Sequence, residues 1–135
     1  MKRVFVDTGA WYALVDADDP DHARVATCFR EYRGRLVTSN YVFDEIITLT
    51  RYRLGWEVAS RLGDQLRANR VAQMEPITPQ DEDTAWTIFS RYRDKSFSFT
   101  DCTSFAFVKR AGIALCLAID GDFRAYGLHC VPELD

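Results

Sequence analysis

The sequence predicts an α/β domain: a largely parallel sheet of four to five strands with helices on both faces. Short apolar, β-branched runs alternate with helix-length amphipathic segments along the whole chain, the pattern of repeated strand–helix–strand units. The run Ile113–Ile119 is apolar almost throughout, as expected of a strand covered on both sides and placed centrally. At 135 residues and 47% apolar composition, residues 1–135 suffice for one domain that buries about two-thirds of the surface its unfolded chain exposes.

The elements follow in order. Lys2 to Val6 is a compact β-branched and aromatic run and reads as a buried strand. Gly9 lets the backbone turn into a short apolar helix over Ala10–Val15. The acidic break Asp16-Ala17-Asp18-Asp19-Pro20 offers Asp19 as a cap and Pro20 as first helical residue. A helix then runs to about Tyr32, burying Ala23, Ala26 and Phe29, or Phe29 and Tyr32, before Gly34 ends it. Arg35–Thr38 is a second strand, and Ser39 or Asn40 caps a helix to about Leu54 that stops at Gly55. A further helix spans about Glu57–Asn69 with Val58, Leu62 and Leu66 on one face. Val71–Ile77 resembles a third strand, and Thr78-Pro79 opens a helix through about Tyr92. After the polar loop Arg93–Ser96, Ser98 or Thr100 caps a helix through about Ala111, closed by Gly112. Ile113–Ile119 is the fourth strand, Asp120–Phe123 turns the chain, and Leu128–Val131 is a short last strand. Repeats, low-complexity stretches and internal linkers are absent from the sequence.

The formal net charge of −3 gives no overall pull toward nucleic acid or anionic membrane, so any RNA or DNA contact must come from a local patch. Cys28, Cys102, Cys116 and Cys130 are widely spaced with no Cys-x-x-Cys pair, which points to reduced, buried thiols rather than a zinc ribbon or disulfide framework. His22 and His129 are single surface or packing residues. The chain shows no basic segment leading into a long apolar one and no run of about 18 apolar residues, so a cytosolic protein with no membrane span is expected.

Four acids stand at junctions. Asp7 and Asp120 each follow an apolar strand directly, and strand ends of a parallel sheet open on one edge, where ligands bind. Glu45 falls three residues after Val42 and four before Leu49, on the inward stripe of its helix, whereas Asp44 aligns with Asn40, Thr48 and Arg51. Asp101 shares an apolar stripe with Phe105 and Val108 in a first helical turn, where it also gains from the helix dipole. Crowded, partly buried carboxylates repel one another. A divalent cation with a preference for hard oxygen ligands, Mg²⁺ or Mn²⁺, removes that conflict. Such a site suits in-line phosphoryl displacement, the chemistry of a nuclease. Thr8 is placed either to hydrogen-bond within this site or to cap the following helix, with Ser39 and Ser104 weaker candidates of the same kind.

Val-Phe-Val-Asp7-Thr8-Gly-Ala-Trp, Thr38-Ser39 followed by Glu45, Ser98-Phe-Thr-Asp101-Cys, and Ala-Ile-Asp120-Gly-Asp122-Phe123 together resemble the PIN-domain ribonucleases, above all the bacterial VapC-type toxins. The resemblance spans nearly the whole chain. It implies a three-layer α/β/α fold, a Mg²⁺- or Mn²⁺-dependent endoribonuclease site, homodimerisation and inhibition by a small antitoxin. Asp7, Glu45 and Asp101 correspond to the family's three core acids. For the fourth, Asp120 is favoured because it terminates the strand, and Asp122 is a supporting or surface acid; the hydroxyl residue common two places earlier in the family is here Ala118. RNA contacts fall to Arg51 and Arg53 around Tyr52, and to Arg91, Arg93 and Lys95 around Tyr92, since arginine interleaved with aromatics suits single-stranded RNA. The same arginines also fit solvated helix C-termini. Trp11, Trp56 and Trp86 read as core or subunit interface. A housekeeping RNA-processing nuclease and a non-catalytic RNA- or partner-binding module are the alternatives. A receiver-type phosphoacceptor domain needs a lysine on a late strand, and Lys95 and Lys109 fall in a loop and a helix.

Overall fold

The computed structural model describes residues 2–134. In chain order the elements are β1 (Val4–Val6), α1 (Thr8–Val15), α2 (His22–Glu31), β2 (Leu36–Ser39), α3 (Asn40–Leu54), α4 (Trp56–Arg67), β3 (Gln73–Glu75), α5 (Pro79–Arg91), α6 (Phe99–Ala111), β4 (Leu115–Leu117), α7 (Asp122–Tyr126) and β5 (His129–Val131). The five strands form one wholly parallel sheet in the order β3-β2-β1-β4-β5. The expected α/β architecture is thus present with five strands. None of the described helices is long and apolar enough to cross a membrane.

The middle strand is β1. Val4 pairs with both Leu36 and Leu115, and Val4, Phe5 and Val6 are completely buried. The more apolar β4 is interior but lies one place off centre, between β1 and β5. This order has a functional consequence. The chain winds outward from β1 through β2 to β3, then returns to build β4 and β5 on the other side, so the winding reverses between β1 and β4. At such a switch point the loops leaving adjacent strands part and open a crevice at the carboxyl ends. Asp7 and Asp120 leave β1 and β4 there, and the Asp7 amide still donates to Leu117 O at 3.0 Å.

Capping chemistry sets most helix ends. Ser39 accepts from Val42 N and so caps α3, while the Asn40 side chain accepts from Ile77 N at 2.7 Å and ties the helix start to the chain after β3. Thr78 with Asp81, and Ser98 with Asp101, form reciprocal capping boxes at α5 and α6. Gly112, at φ 68°, closes α6 in the left-handed region that favours glycine. Buried Asp81 also takes a bidentate pair of bonds from Arg110 at 2.7 and 2.9 Å, which locks α5 to α6. Burial pushes the Asp81 carboxyl up, but the guanidinium and the Thr78 donors outweigh it and hold it below the usual range.

Two differences from the sequence expectation stand out. The helix expected from Pro20 begins at His22, because Asp16 and Asp19 accept from the amides of Asp18 and Asp21 and spend Asp19-Pro20 on turns. That shift turns Val25, Cys28 and Phe29 inward and leaves Ala23 exposed. The segment after Asp120, expected as a turn, contains the short helix α7, anchored by fully buried Phe123 and closed by Gly127 at φ 106°. All four cysteines are free and buried, as expected. Trp11 is core, its ring tilted against Phe29 and its Nε1 donating to Thr38 Oγ1 at 3.3 Å, whereas Trp56 and Trp86 lie on the surface.

Candidate active site

Asp7 sits where β1 ends, in extended backbone at the N-cap position of α1, yet its side chain makes no capping bond. It is only 2% exposed, and Oδ1 has no hydrogen-bond partner among the described residues. A buried, unpartnered carboxylate oxygen is costly and asks for a positive ligand or a proton. Burial raises its pKa well above the ordinary carboxyl value, and the charges of Asp120, Asp101 and Glu45 raise it further against a weaker opposing bond from the Thr8 amide. The acids expected to converge on Asp7 are therefore its electrostatic neighbours.

Asp101 arrives on the first turn of α6 and is 7% exposed. Its Oδ2 accepts from Ser98 N at 3.0 Å. Burial pushes the carboxyl up to about 7, opposed by the Ser98 backbone bond and reinforced by Asp120 and Asp122. Glu45, on the inward side of α3, is half-buried while Asp44 is exposed. Its Oε1 accepts from the hydroxyl of buried Thr8. Thr8 thus bridges α1 to α3 and fixes an acid instead of capping a helix.

The structure separates Asp120 from Asp122. Asp120 stands at the exit of β4, and its charge acts on both Asp7 and Asp101. Its own pKa is raised by burial and by Asp122, tempered by the Asp122 amide bond and Arg124. Asp122 lies one step outward: its amide donates to Asp120 Oδ1 at 2.9 Å and its Oδ1 accepts from Ser96 Oγ at 3.3 Å. Ser39 is occupied in capping α3. Ser104, one turn along α6 from Asp101, has a buried hydroxyl with no partner among the described residues.

Among the described residues no three histidine, cysteine or acidic side chains close on a common point. The acids frame an open crevice rather than a finished cage. That suits an ion that keeps several waters and takes its remaining ligands from a substrate phosphate. The donor set is all hard oxygen, and the unpartnered Asp7 Oδ1 fits a divalent cation. Two further grooves lie elsewhere, at the opposite edge of the sheet against Leu36, Gln73 and Leu115, and hold no acid.

The arginines expected to contact RNA are all exposed, but they do not converge. Arg51 and Arg53 occupy the last turn of α3 and Arg91 that of α5, where a cation suits the helix dipole. The Arg53 guanidinium lies 5.1 Å over the Tyr12 ring. Arg93 and Lys95 share a shallow groove with Trp86 and Phe89.

Comparison with known proteins agrees with this geometry. The PIN-domain family profile matches residues 4–128. The chain is 36% identical over 124 residues to the 23S rRNA-specific endonuclease VapC20 of Mycobacterium tuberculosis, covering 92% of this chain and 94% of that one. The crystal structure of Mycobacterium tuberculosis VapC20, described as a sarcin–ricin loop cleaving toxin, superposes with a TM-score of 0.88 at 34% identity, covering 93% of this chain and 95% of that one. DNA-bound VapBC from Salmonella typhimurium shares the fold, with a TM-score of 0.70 at 13% identity over 97% of this chain and 98% of that one. The chain belongs to the PIN-domain family, among its VapC-type ribonuclease toxins.

Proposed function

We propose that this chain is a Mg²⁺- or Mn²⁺-dependent endoribonuclease that hydrolyses a phosphodiester bond in 23S rRNA and acts as the toxin of a toxin–antitoxin pair. The observation that carries the metal-dependent reading is Asp7: a buried carboxylate with one oxygen unpartnered, facing the charges of three further acids. The rRNA substrate rests on similarity to VapC20 over most of the chain.

Asp7, Asp101 and Asp120 would hold the ion, and the chemistry supplied there would be Lewis-acid polarisation of a phosphoryl oxygen and activation of water. Glu45, oriented by Thr8, takes a hydrogen bond from water at the edge of the cluster through its free oxygen. Asp122 holds Asp120 in place, and exposed Arg51, Arg53, Arg91 and Arg93 are available to phosphates. Stacked Trp86 and Phe89, 61% and 42% exposed and packed near Phe99 and Tyr41, form an aromatic patch that supports a homodimer. A small cognate antitoxin is the other expected partner, in keeping with the toxin–antitoxin complexes that share this fold.

The test is cleavage of a stem-loop RNA carrying the 23S sarcin–ricin sequence. Purified protein should cut it at one position with Mg²⁺ or Mn²⁺ and stop cutting in chelator; undiminished cleavage in chelator sinks the reading. Thr8 supplies a finer check. Thr8→Val, which keeps the shape and removes the hydroxyl that holds Glu45, should lower kcat/KM by about tenfold, and Thr8→Ser should restore most of it.

A further inference from the structure

We propose that Tyr52 is the stacking platform for a base lying one or two nucleotides from the cleaved phosphodiester, and so a substrate-positioning residue of this ribonuclease. The inference rests on the RNA-cleaving reading above and adds to it where the substrate chain runs.

Tyr52 is the most exposed large apolar side chain described, at 88%. It makes no ring contact with another aromatic among the described residues. The other exposed aromatics are accounted for differently: Trp86 and Phe89 stack on each other beside Phe99, and Trp56 lies in the groove between α3 and α4 with Arg51. The triplet Arg51-Tyr52-Arg53 is therefore split three ways by the helix. Arg51 turns to α4, Arg53 lies over Tyr12, and Tyr52 alone borders a shallow groove with Asp44, Glu45, Thr48, Leu49 and Thr100.

That groove is continuous with the acid cluster. Glu45 is one of the four acids, and Thr100 immediately precedes Asp101. Tyr52 follows Glu45 by seven residues, two turns along the same face of α3, which sets the ring about 10 Å from that acid along the helix axis. The groove contains two carboxylates and no cation, so a phosphate is not its natural occupant. The uncharged face of a base is. Half-buried Leu49 offers an apolar floor and Tyr52 a flat ring. Bases stack on aromatic rings without regard to sequence, which suits a base splayed out of a loop. A second copy of the chain is the competing occupant of the ring.

The experiment compares wild type, Tyr52→Ala and Tyr52→Phe on the stem-loop RNA, by rate against RNA concentration with Mg²⁺ and by equilibrium binding with Ca²⁺ in its place. For Tyr52→Ala, KM and Kd should rise roughly ten- to a hundredfold, with kcat within about threefold. Tyr52→Phe should stay within about twofold, since stacking needs the ring and not the hydroxyl. Abasic substitution at one nucleotide flanking the cut should weaken wild type and add nothing to the Tyr52→Ala loss. Equal KM and Kd for wild type and Tyr52→Ala overturn the proposal, as does a changed sedimentation coefficient for Tyr52→Ala, which would assign the ring to a subunit interface. Failure of wild type to cleave defeats the ribonuclease reading instead, and the Kd comparison still decides Tyr52.

Discussion

Asp101→Asn lowers the rate of RNA cleavage by more than about a hundredfold at saturating Mg²⁺, with circular dichroism unchanged. The reasoning turns on the two jobs of this side chain. Its Oδ2 closes the α6 capping box by accepting from Ser98 N, and an amide oxygen does that equally well. What the amide cannot supply is the negative charge beside Asp7 and Asp120. Losing a group that supports a metal ligand typically costs ten- to a hundredfold, and removing a ligand itself costs more. Asp44→Asn is the matched control on α3: exposed and outside the acid cluster, it should leave the rate within about twofold. Asp120→Asn should fall nearer to Asp101→Asn and Asp122→Asn nearer to the control, because Asp120 acts on Asp7 while Asp122 lies a step farther out. Full activity in Asp101→Asn would falsify the metal assignment.

The candidate site was legible in the sequence where a charge violated a pattern. Glu45 and Asp101 each sit on an apolar helical stripe, and Asp7 and Asp120 each follow an apolar strand; a carboxylate placed where packing wants carbon has to be explained by chemistry. The helix starts at Thr78 and at Ser98, with Thr100 the alternative, were legible from the cap residue itself, but their closure into reciprocal boxes by Asp81 and Asp101 was not read. What stayed hidden depends on partners remote in sequence. The bond from Thr8 to Glu45 spans 37 residues, and no local pattern shows that a hydroxyl after a strand will orient an acid two elements later. The middle position of β1 follows from the order in which strands pair, and the strongest apolar run was a misleading guide to it because β4 is also an interior strand, one place away. Helix α7 was too short, at five residues, for periodicity to register; one buried phenylalanine and a glycine stop define it. The start of α2 was lost to competing turn bonds from Asp16 and Asp19, which the Asp-Pro pair alone could not reveal.

The acid cluster should also make the metal-free protein less stable as pH rises, and Asp7→Asn should relieve this. In the folded chain burial pushes the Asp101 carboxyl up to about 7, and burial with three like charges raises Asp7 well above the ordinary carboxyl value. Both carboxyls have raised folded values, so the folded state binds more protons than the unfolded state above about pH 4, and stability falls with pH. For Asp101 that loss runs from about pH 4 until its folded value near 7 is passed. Without metal, wild type should therefore melt several degrees lower at pH 8 than at pH 5. Asp7→Asn removes the most buried charge and its repulsion of Asp101, so at pH 8 the metal-free variant should be more stable than wild type by roughly 1–3 kcal/mol, and the difference should close as pH falls toward 4. Adding Mg²⁺ should reverse the ranking. Wild type gains about 2.7 kcal/mol at a hundred times its dissociation constant, whereas the variant, short of a ligand, gains little. Thermal melts of both proteins at pH 5 and 8, with Mg²⁺ and with chelator, read all of this in one experiment. A variant less stable than wild type in chelator at pH 8 would show that Asp7 is held by an unrecognised partner rather than kept for a cation. The predicted crossing has a single origin: the arrangement that weakens the empty fold is the one that makes it bind a divalent ion.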